Sequence, residues 1–258
     1  KAAAQGNSRA VPLPRPLLGT AEPHFSFAGL KSAVMRAVQS GQYSQPDIAA
    51  SFQQAVIDCL ATLQAAPVPA WAVAYQSDAM TEALDPAWSH AARTGAPTAE
   101  CADLFRALLA GHEDEAVLLH RDFHAENLVW LPERDGVRRV GLLDFQDAVV
   151  GHPAYDLASY LQDARRDVSA ETEAWMIDRF CAVTGRDAER FAAAYALQSL
   201  QRNVRILGLF ARLAERGKTG YLAHVPRVRR YVERSLGHPA AAPLAGPLRA
   251  CLLTPVPA

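Results

Sequence analysis

Lysine is nearly absent from this chain: Lys1, Lys31 and Lys218 are the only three, and none lies in a strand pattern. No glycine-rich loop that could cover a nucleotide is legible. No apolar run approaches the roughly 18 residues that cross a bilayer, so no transmembrane helix and no membrane partner are expected. The amino end lacks the charged-then-apolar pattern of a secretion leader, and the first residue is Lys1 rather than methionine; a fragment or a processed chain is expected. Cysteine is scarce and scattered. Cys59, Cys101, Cys181 and Cys251 show no C-x-x-C spacing, which argues against zinc or a disulfide framework and for buried free thiols in a reducing cytoplasm. Neither sign of charge dominates, with 26 Lys+Arg against 27 Asp+Glu, so nucleic acid is not the expected partner.

What is present is apolar and periodic. The chain has 258 residues, of which 50% are hydrophobic, enough for one large or two small domains. Residues 1–25 hold Pro12, Pro14, Pro16 and Pro23 without a hydrophobic period and read as an irregular arm. Leu30, Val34, Ala37 and Val38 predict a helix over 26–40 that Gly41 ends. Ser44 and Asp47 around Pro46 form a helix start signal. Ile48, Phe52, Val56, Cys59, Leu60 and Leu63 then predict an apolar stripe. Helical pieces are expected near 77–94 and 99–110, with strands over Ala116–Leu119, Leu128–Leu131 and Val137–Leu143. The Asp135-Gly136 pair marks a hairpin between the last two. Helices follow at about 154–166, 170–183, 187–215 and 221–236, with Gly185 and Gly217 at carboxyl-terminal caps. Residues 237–258 are rich in Pro and Ala, and an irregular tail is expected over 241–258. Trp71, Trp88 and Trp175 are expected in the core, and Arg227, Arg229 and Arg230 on a solvated helix face.

The stretch Leu118-Leu119-His120-Arg121-Asp122-Phe123-His124-Ala125-Glu126-Asn127, continued by Leu142-Leu143-Asp144-Phe145-Gln146-Asp147, carries the chemistry. Its H-R-D-x-x-x-x-N spacing matches the catalytic loop of protein kinases and their relatives. In that pattern Asp122 reaches the acceptor hydroxyl and takes its proton. Asn127 reaches a magnesium ion on the nucleotide phosphates, and Asp144 supplies the charged metal ligand. The intervening hairpin is what brings Asn127 and Asp144 together.

On these residues, and on the segments 120–168 and 201–239, the chain resembles the aminoglycoside phosphotransferase family, and within it the bacterial cell-wall sugar kinases that phosphorylate N-acetylmuramate and N-acetylglucosamine. The resemblance implies an α+β, mostly helical fold over 26–240: a protein-kinase-like C-terminal lobe with a small β-hairpin at the active site. It also implies Mg2+ and ATP as cofactors, a small-molecule sugar as substrate, a cytoplasmic location and a role in peptidoglycan recycling. The family's N-terminal lobe, with its five-stranded sheet and phosphate-pairing lysine, is not legible and is expected to be absent, truncated or separate. Aminoglycoside, choline or homoserine as acceptor, and a kinase remnant that binds sugar without phosphorylating it, are the alternatives.

Other residues have two readings each. His120 and Arg121 are expected to support the loop. His124 and Glu126 either touch substrate or solvate the loop. Asp147 is a residue behind the metal or a helix cap. Asp156 matches a family position that hydrogen-bonds the catalytic loop, or is a helix amino-terminal acid. Gln201, Arg202, Asn203 and Arg205 interrupt a long apolar helix, as a substrate face with an arginine suited to a carboxylate or as a solvated stripe.

Overall fold

The computed structural model describes residues 2–13, 27–92, 98–113, 115–124, 127–130 and 140–252. They divide into two compact units.

The first unit comprises residues 1–70, 117–148 and 168–188. It contains α1 (Phe27–Ser40), α2 (Gln45–Gln64), β2 (Val117–Leu119), the antiparallel pair β3 (Leu128–Trp130) and β4 (Val140–Leu142), and α7 (Ala170–Thr184). Helix α2 starts where the sequence says it should. Ser44 Oγ accepts from the Asp47 N–H at 3.2 Å and donates to the Asp47 carboxylate at 2.7 Å, satisfying an amide that the helix leaves open. The core is built from Val56, Ile57, Leu60 and Leu63 of α2 together with Leu119, Phe123, Met176 and Phe180. Phe52, expected in the apolar stripe, is only half-buried, and Ile57 is buried in addition. Gln54 ties α2 to α7: its Oε1 accepts from Arg179 Nε at 2.5 Å. Residues 2–13, though irregular, are packed. The Asn7 and Val11 amides donate to Asp47 and Ser51 of α2, and Val11 and Leu13 are buried. Gly6 approaches Pro46 so closely that a Cβ would lie 2.1 Å from the Pro46 carbonyl oxygen. The rest of the expected arm, 14–25, lies outside the described residues.

The second unit comprises 71–116, 149–167 and 189–258. It holds β1 (Val73–Ala74) paired in parallel with β5 (Val149–Gly151), α3 (Ser77–Glu82), α4 (Asp85–Ala91), α5 (Thr98–Ala110), α6 (Ala154–Leu161), α8 (Ala188–Glu215), α9 (Val225–Leu236) and α10 (Ala245–Leu252). Leu84, Phe105, Tyr155, Leu157, Leu197, Leu200, Val204, Val228 and Tyr231 are its buried anchors. Gly208 of α8 meets α4 without a side chain; a Cβ there would come within 2.3 Å of the Ala87 nitrogen.

Several expectations are corrected. Helix α6 stops at Leu161 rather than 166, because the Gln162 carbonyl and side chain are taken by α8, as described below. Helix α9 begins at Val225, with a 3₁₀ stretch over Thr219–His224 before it; Pro226, fixed in φ and lacking an N–H, suits a first turn and not an interior. The expected irregular tail is ordered as far as Leu252: Pro239–Leu244 is 3₁₀ and α10 follows, with Ala241, Leu244, Leu248 and Cys251 buried. Trp88 is core and Trp175 half-buried, but Trp71 is 62% exposed. The arginines of α9 are engaged rather than merely solvated. Arg227 and Arg230 both clasp Asp167, at 2.8 and 2.9 Å, and hold its carboxyl down at about 2. Gly41, Gly185 and Gly217 take the left-handed conformation at helix ends, as expected. No strand among the described residues exceeds three residues, and none of their helices is long and apolar enough to cross a membrane.

Candidate active site

The apolar residues of β2 end at Leu119, and the chain then turns sharply. Arg121 adopts a left-handed backbone at φ 70°, a conformation that costs a residue with a side chain on the order of 1–3 kcal/mol and persists only where its surroundings impose it. Phe123, fully buried, anchors the loop just beyond. The loop then closes on Asp122. Its backbone carbonyl accepts from the His124 N–H and from Asn127 Nδ2, both at 3.0 Å. Its carboxylate Oδ2 accepts from Asn127 Nδ2 at 3.0 Å and from His124 Nε2 at 3.1 Å. Two donors on one oxygen set the orientation of the carboxylate, yet its side chain remains 51% exposed. His124 and Asn127 are themselves buried. Asp122 is thus aimed from inside and open from outside.

Asp144 is brought to the same loop by the residue before it. The Leu143 N–H donates to the Asn127 carbonyl at 2.8 Å, and His120 Nε2 donates to the Leu143 carbonyl at 2.9 Å. Because a carbonyl only accepts, His120 carries its proton on Nε2. Burial pushes the imidazole below its ordinary pKa, with Leu143 and Asp122 opposing, so the ring is neutral near pH 7. Leu143 is therefore pinned at both backbone groups. Asp144 follows at φ 56°, the second left-handed residue of the site. It is exposed, as are Phe145, Gln146 and Asp147 of the short 3₁₀ turn behind it.

Among the sequence-predicted residues, His120, Arg121, Asp122, His124, Asn127, Asp144 and Asp147 share this unit. Glu126 lies outside the described residues. The fit to magnesium rests on chemistry: an amide side chain and an exposed carboxylate, at positions joined through one backbone hydrogen bond, are hard oxygen donors of the kind that ion takes while keeping waters and phosphate oxygens in its shell. Among the described residues no three His, Cys, Asp or Glu side chains cluster to hold a metal unaided. Sequence reasoning does not single out Leu143, because an apolar side chain says nothing about how its backbone is used.

The remaining predicted residues belong to the second unit. Asp156 is fully buried in the first turn of α6. The polar group on α8 is internal. Gln201 Nε2 donates to the Met80 carbonyl at 2.6 Å, Arg202 Nη1 to the Gln162 carbonyl at 3.2 Å, and Asn203 Nδ2 to Gln162 Oε1. Gln201, Arg202 and Asn203 are buried, whereas Arg205 is half-exposed and donates to the Tyr155 hydroxyl at 3.3 Å.

Comparison with known proteins adds a family. A model described as "Phosphotransferase enzyme family" matches residues 1–197. Over 136 residues, 52% of this chain and 38% of the relative, the sequence is 51% identical to an N-acetylmuramate/N-acetylglucosamine kinase of Caulobacter vibrioides. Over 58 residues, 22% of this chain and 17% of the relative, it is 72% identical to a tRNA N6-adenosine threonylcarbamoyltransferase of Sphingopyxis alaskensis. The chain thus spans well under half the length of either relative. A crystal structure of a choline/ethanolamine kinase family protein from Mesorhizobium loti is similar with a TM-score of 0.50 at 15% identity, over 78% of this chain and 65% of that one. That likeness shows a kinase-like fold.

Proposed function

The chain belongs to the phosphotransferase enzyme family, and we propose that it carries the acceptor- and metal-binding half of an ATP-dependent kinase whose acceptor is the anomeric hydroxyl of N-acetylmuramate or N-acetylglucosamine. The observation that carries this reading is Asp122: a carboxylate fixed by Asn127 and His124 on one oxygen and half open to solvent. Such a group can orient an acceptor hydroxyl and receive its proton as the phosphoryl group arrives. His124 and Asn127 keep the carboxylate in one rotamer, so little reorganisation accompanies proton transfer. Neutral His120 holds Leu143, and through it Asp144, in place without adding charge. Asn127 and Asp144 would hold Mg2+, which when bound neutralises phosphate charge. The acceptor class comes from the 51% identity to the sugar kinase; an aminoglycoside, choline or homoserine is the alternative.

Two experiments test this. Phosphate transfer from Mg-ATP is measured on both amino sugars, an aminoglycoside, choline and homoserine, with Asp122→Asn as control; transfer to a non-sugar alone, or full activity in the variant, overturns the reading. Arg205 donates to Tyr155 and, unlike Arg202, is not buried; it is the arginine we assign to a lactyl carboxylate. Arg205→Leu is expected to raise the KM for N-acetylmuramate but not for N-acetylglucosamine; equal effects on both would make it structural.

A second reading rests on the 58-residue match. We place the shared stretch before His120, because outside the kinase-like segments 120–168 and 201–239 no other stretch is long enough to hold 58 residues. On this reading the chain joins a piece related to threonylcarbamoyltransferases to a kinase piece, although the family model's match also runs across the first residues. Sequencing one continuous messenger RNA across both pieces would support a joined protein; two separate messages would refute it.

A further inference from the structure

Helices α5 and α10 of the second unit pack together, and each brings a buried cysteine to the contact. Cys101 and Cys251 lie 150 positions apart in the chain, yet their sulfurs are 3.4 Å from one another. Cys251 also borders a cavity of about 30 Å³ whose other walls include Ala87, Leu207, Gly208 and Ala211. A water needs roughly 10–15 Å³ of such space; hydrogen peroxide is little larger, and a peptide disulfide is far larger. We propose that Cys101 and Cys251 form a peroxide-sensitive dithiol whose disulfide fastens α10 to α5.

The two thiols are not equivalent. Burial raises both, but Cys251 lines the cavity and Cys101 does not. Cys251, beside the cavity, is the attacking sulfur. Its thiolate attacks one peroxide oxygen, the O–O bond breaks, and the departing hydroxide takes up the thiol's proton as water. The product is a sulfenic acid at Cys251. The Cys101 sulfur then attacks the Cys251 sulfur, forming the S–S bond and releasing a second water. Peroxide is the two-electron oxidant, and both thiols are consumed. The sulfurs must close from 3.4 Å to about 2.05 Å. Leu252, the last residue of α10, is already held by Arg229 Nη2 at 3.2 Å, so the disulfide adds to an existing anchor. The inference is independent of phosphoryl transfer.

The test uses the folded 258-residue chain, with hydrogen peroxide and oxidised glutathione in parallel. Peroxide is expected to yield a linked Cys101–Cys251 peptide and to raise Tm on the order of 10 °C, as expected for closing so long a loop, with dithiothreitol reversing both. Cys101→Ser, or Cys101→Ala if the serine does not fold, should accumulate a sulfenic acid at Cys251, read by mass spectrometry as one added oxygen on the Cys251 peptide. Oxidised glutathione should leave the pair reduced. A pair still reduced at peroxide doses that oxidise exposed Met35, a link formed only in urea, equal reaction with glutathione, or a link without a rise in Tm would each overturn the proposal.

Discussion

Two polar clusters interrupt apolar sequence in this chain, and they are used in opposite ways. Around Asp122 the hydrogen bonds converge on one oxygen of an ionised group and leave the carboxylate half open. On α8, Gln201, Arg202 and Asn203 send their donors into backbone carbonyls and Gln162, and all three are buried. The first cluster includes residues in left-handed conformations at Arg121 and Asp144; the second sits in a regular helix. An open, oriented charge on a constrained backbone is suited to chemistry. Buried polar groups satisfied by backbone carbonyls fasten elements together.

This contrast makes graded predictions. The largest effect is expected at Asp122. In a protein that carries these residues with a working nucleotide lobe, Asp122→Ala should lower kcat about 10²–10⁴-fold with Tm nearly unchanged, measured by phosphate-transfer kinetics and calorimetry. A comparable fall in Tm would place Asp122 in the fastening class. Gln201→Leu should do the reverse: leaving the Met80 carbonyl without its donor costs about 1–3 kcal/mol, seen as a lower Tm with KM for sugar unchanged. A raised KM at constant Tm would move α8 into the site.

A smaller effect is expected with acid at His120. Its folded pKa lies below its unfolded value, so the unfolded chain takes up the proton first. Stability is full above about pH 6.5 and is lost as pH falls from there through the folded value. His120→Gln should flatten that part of the stability curve in pH-dependent denaturation; an unchanged curve would show that the ring does not bear on folding. The smallest effect is expected at Asp167. Its carboxyl is depressed to about 2 by Arg227 and Arg230, so its contribution is present above about pH 3.8 and is lost as pH falls through about 2. Because the carboxylate is exposed, added salt should weaken it. Asp167→Asn, compared with the parent at low and high salt, should show a difference that fades with salt; a salt-independent difference would argue against an ion pair.

Much of this was legible in local sequence. The Ser44 cap, the α2 stripe apart from Phe52, the left-handed Gly185 and Gly217, and the H-R-D-x-x-x-x-N spacing all follow from relations within a few residues, which the chain encodes directly, and the hairpin strands, paired from Leu128–Leu142 to Trp130–Val140, follow from their apolar runs. Others were not. Residues 239–252 have prolines and small side chains without a clear period, and they become ordered through burial of Ala241, Leu244, Leu248 and Cys251. Trp71 looks like a core residue by size but is exposed.

The order of residues alone determined which groups were candidates for chemistry, because an aspartate and an amide side chain five positions on share one loop in any fold that keeps it. Only tertiary structure decided how Asp144 reaches that loop, through both backbone groups of Leu143, and that three of the α8 polar side chains turn inward. It also decided that Cys101 and Cys251 touch. Each depends on partners distant in the chain, and a hydrogen bond or a sulfur contact extends only a few ångströms, so no pattern along the sequence could reveal it.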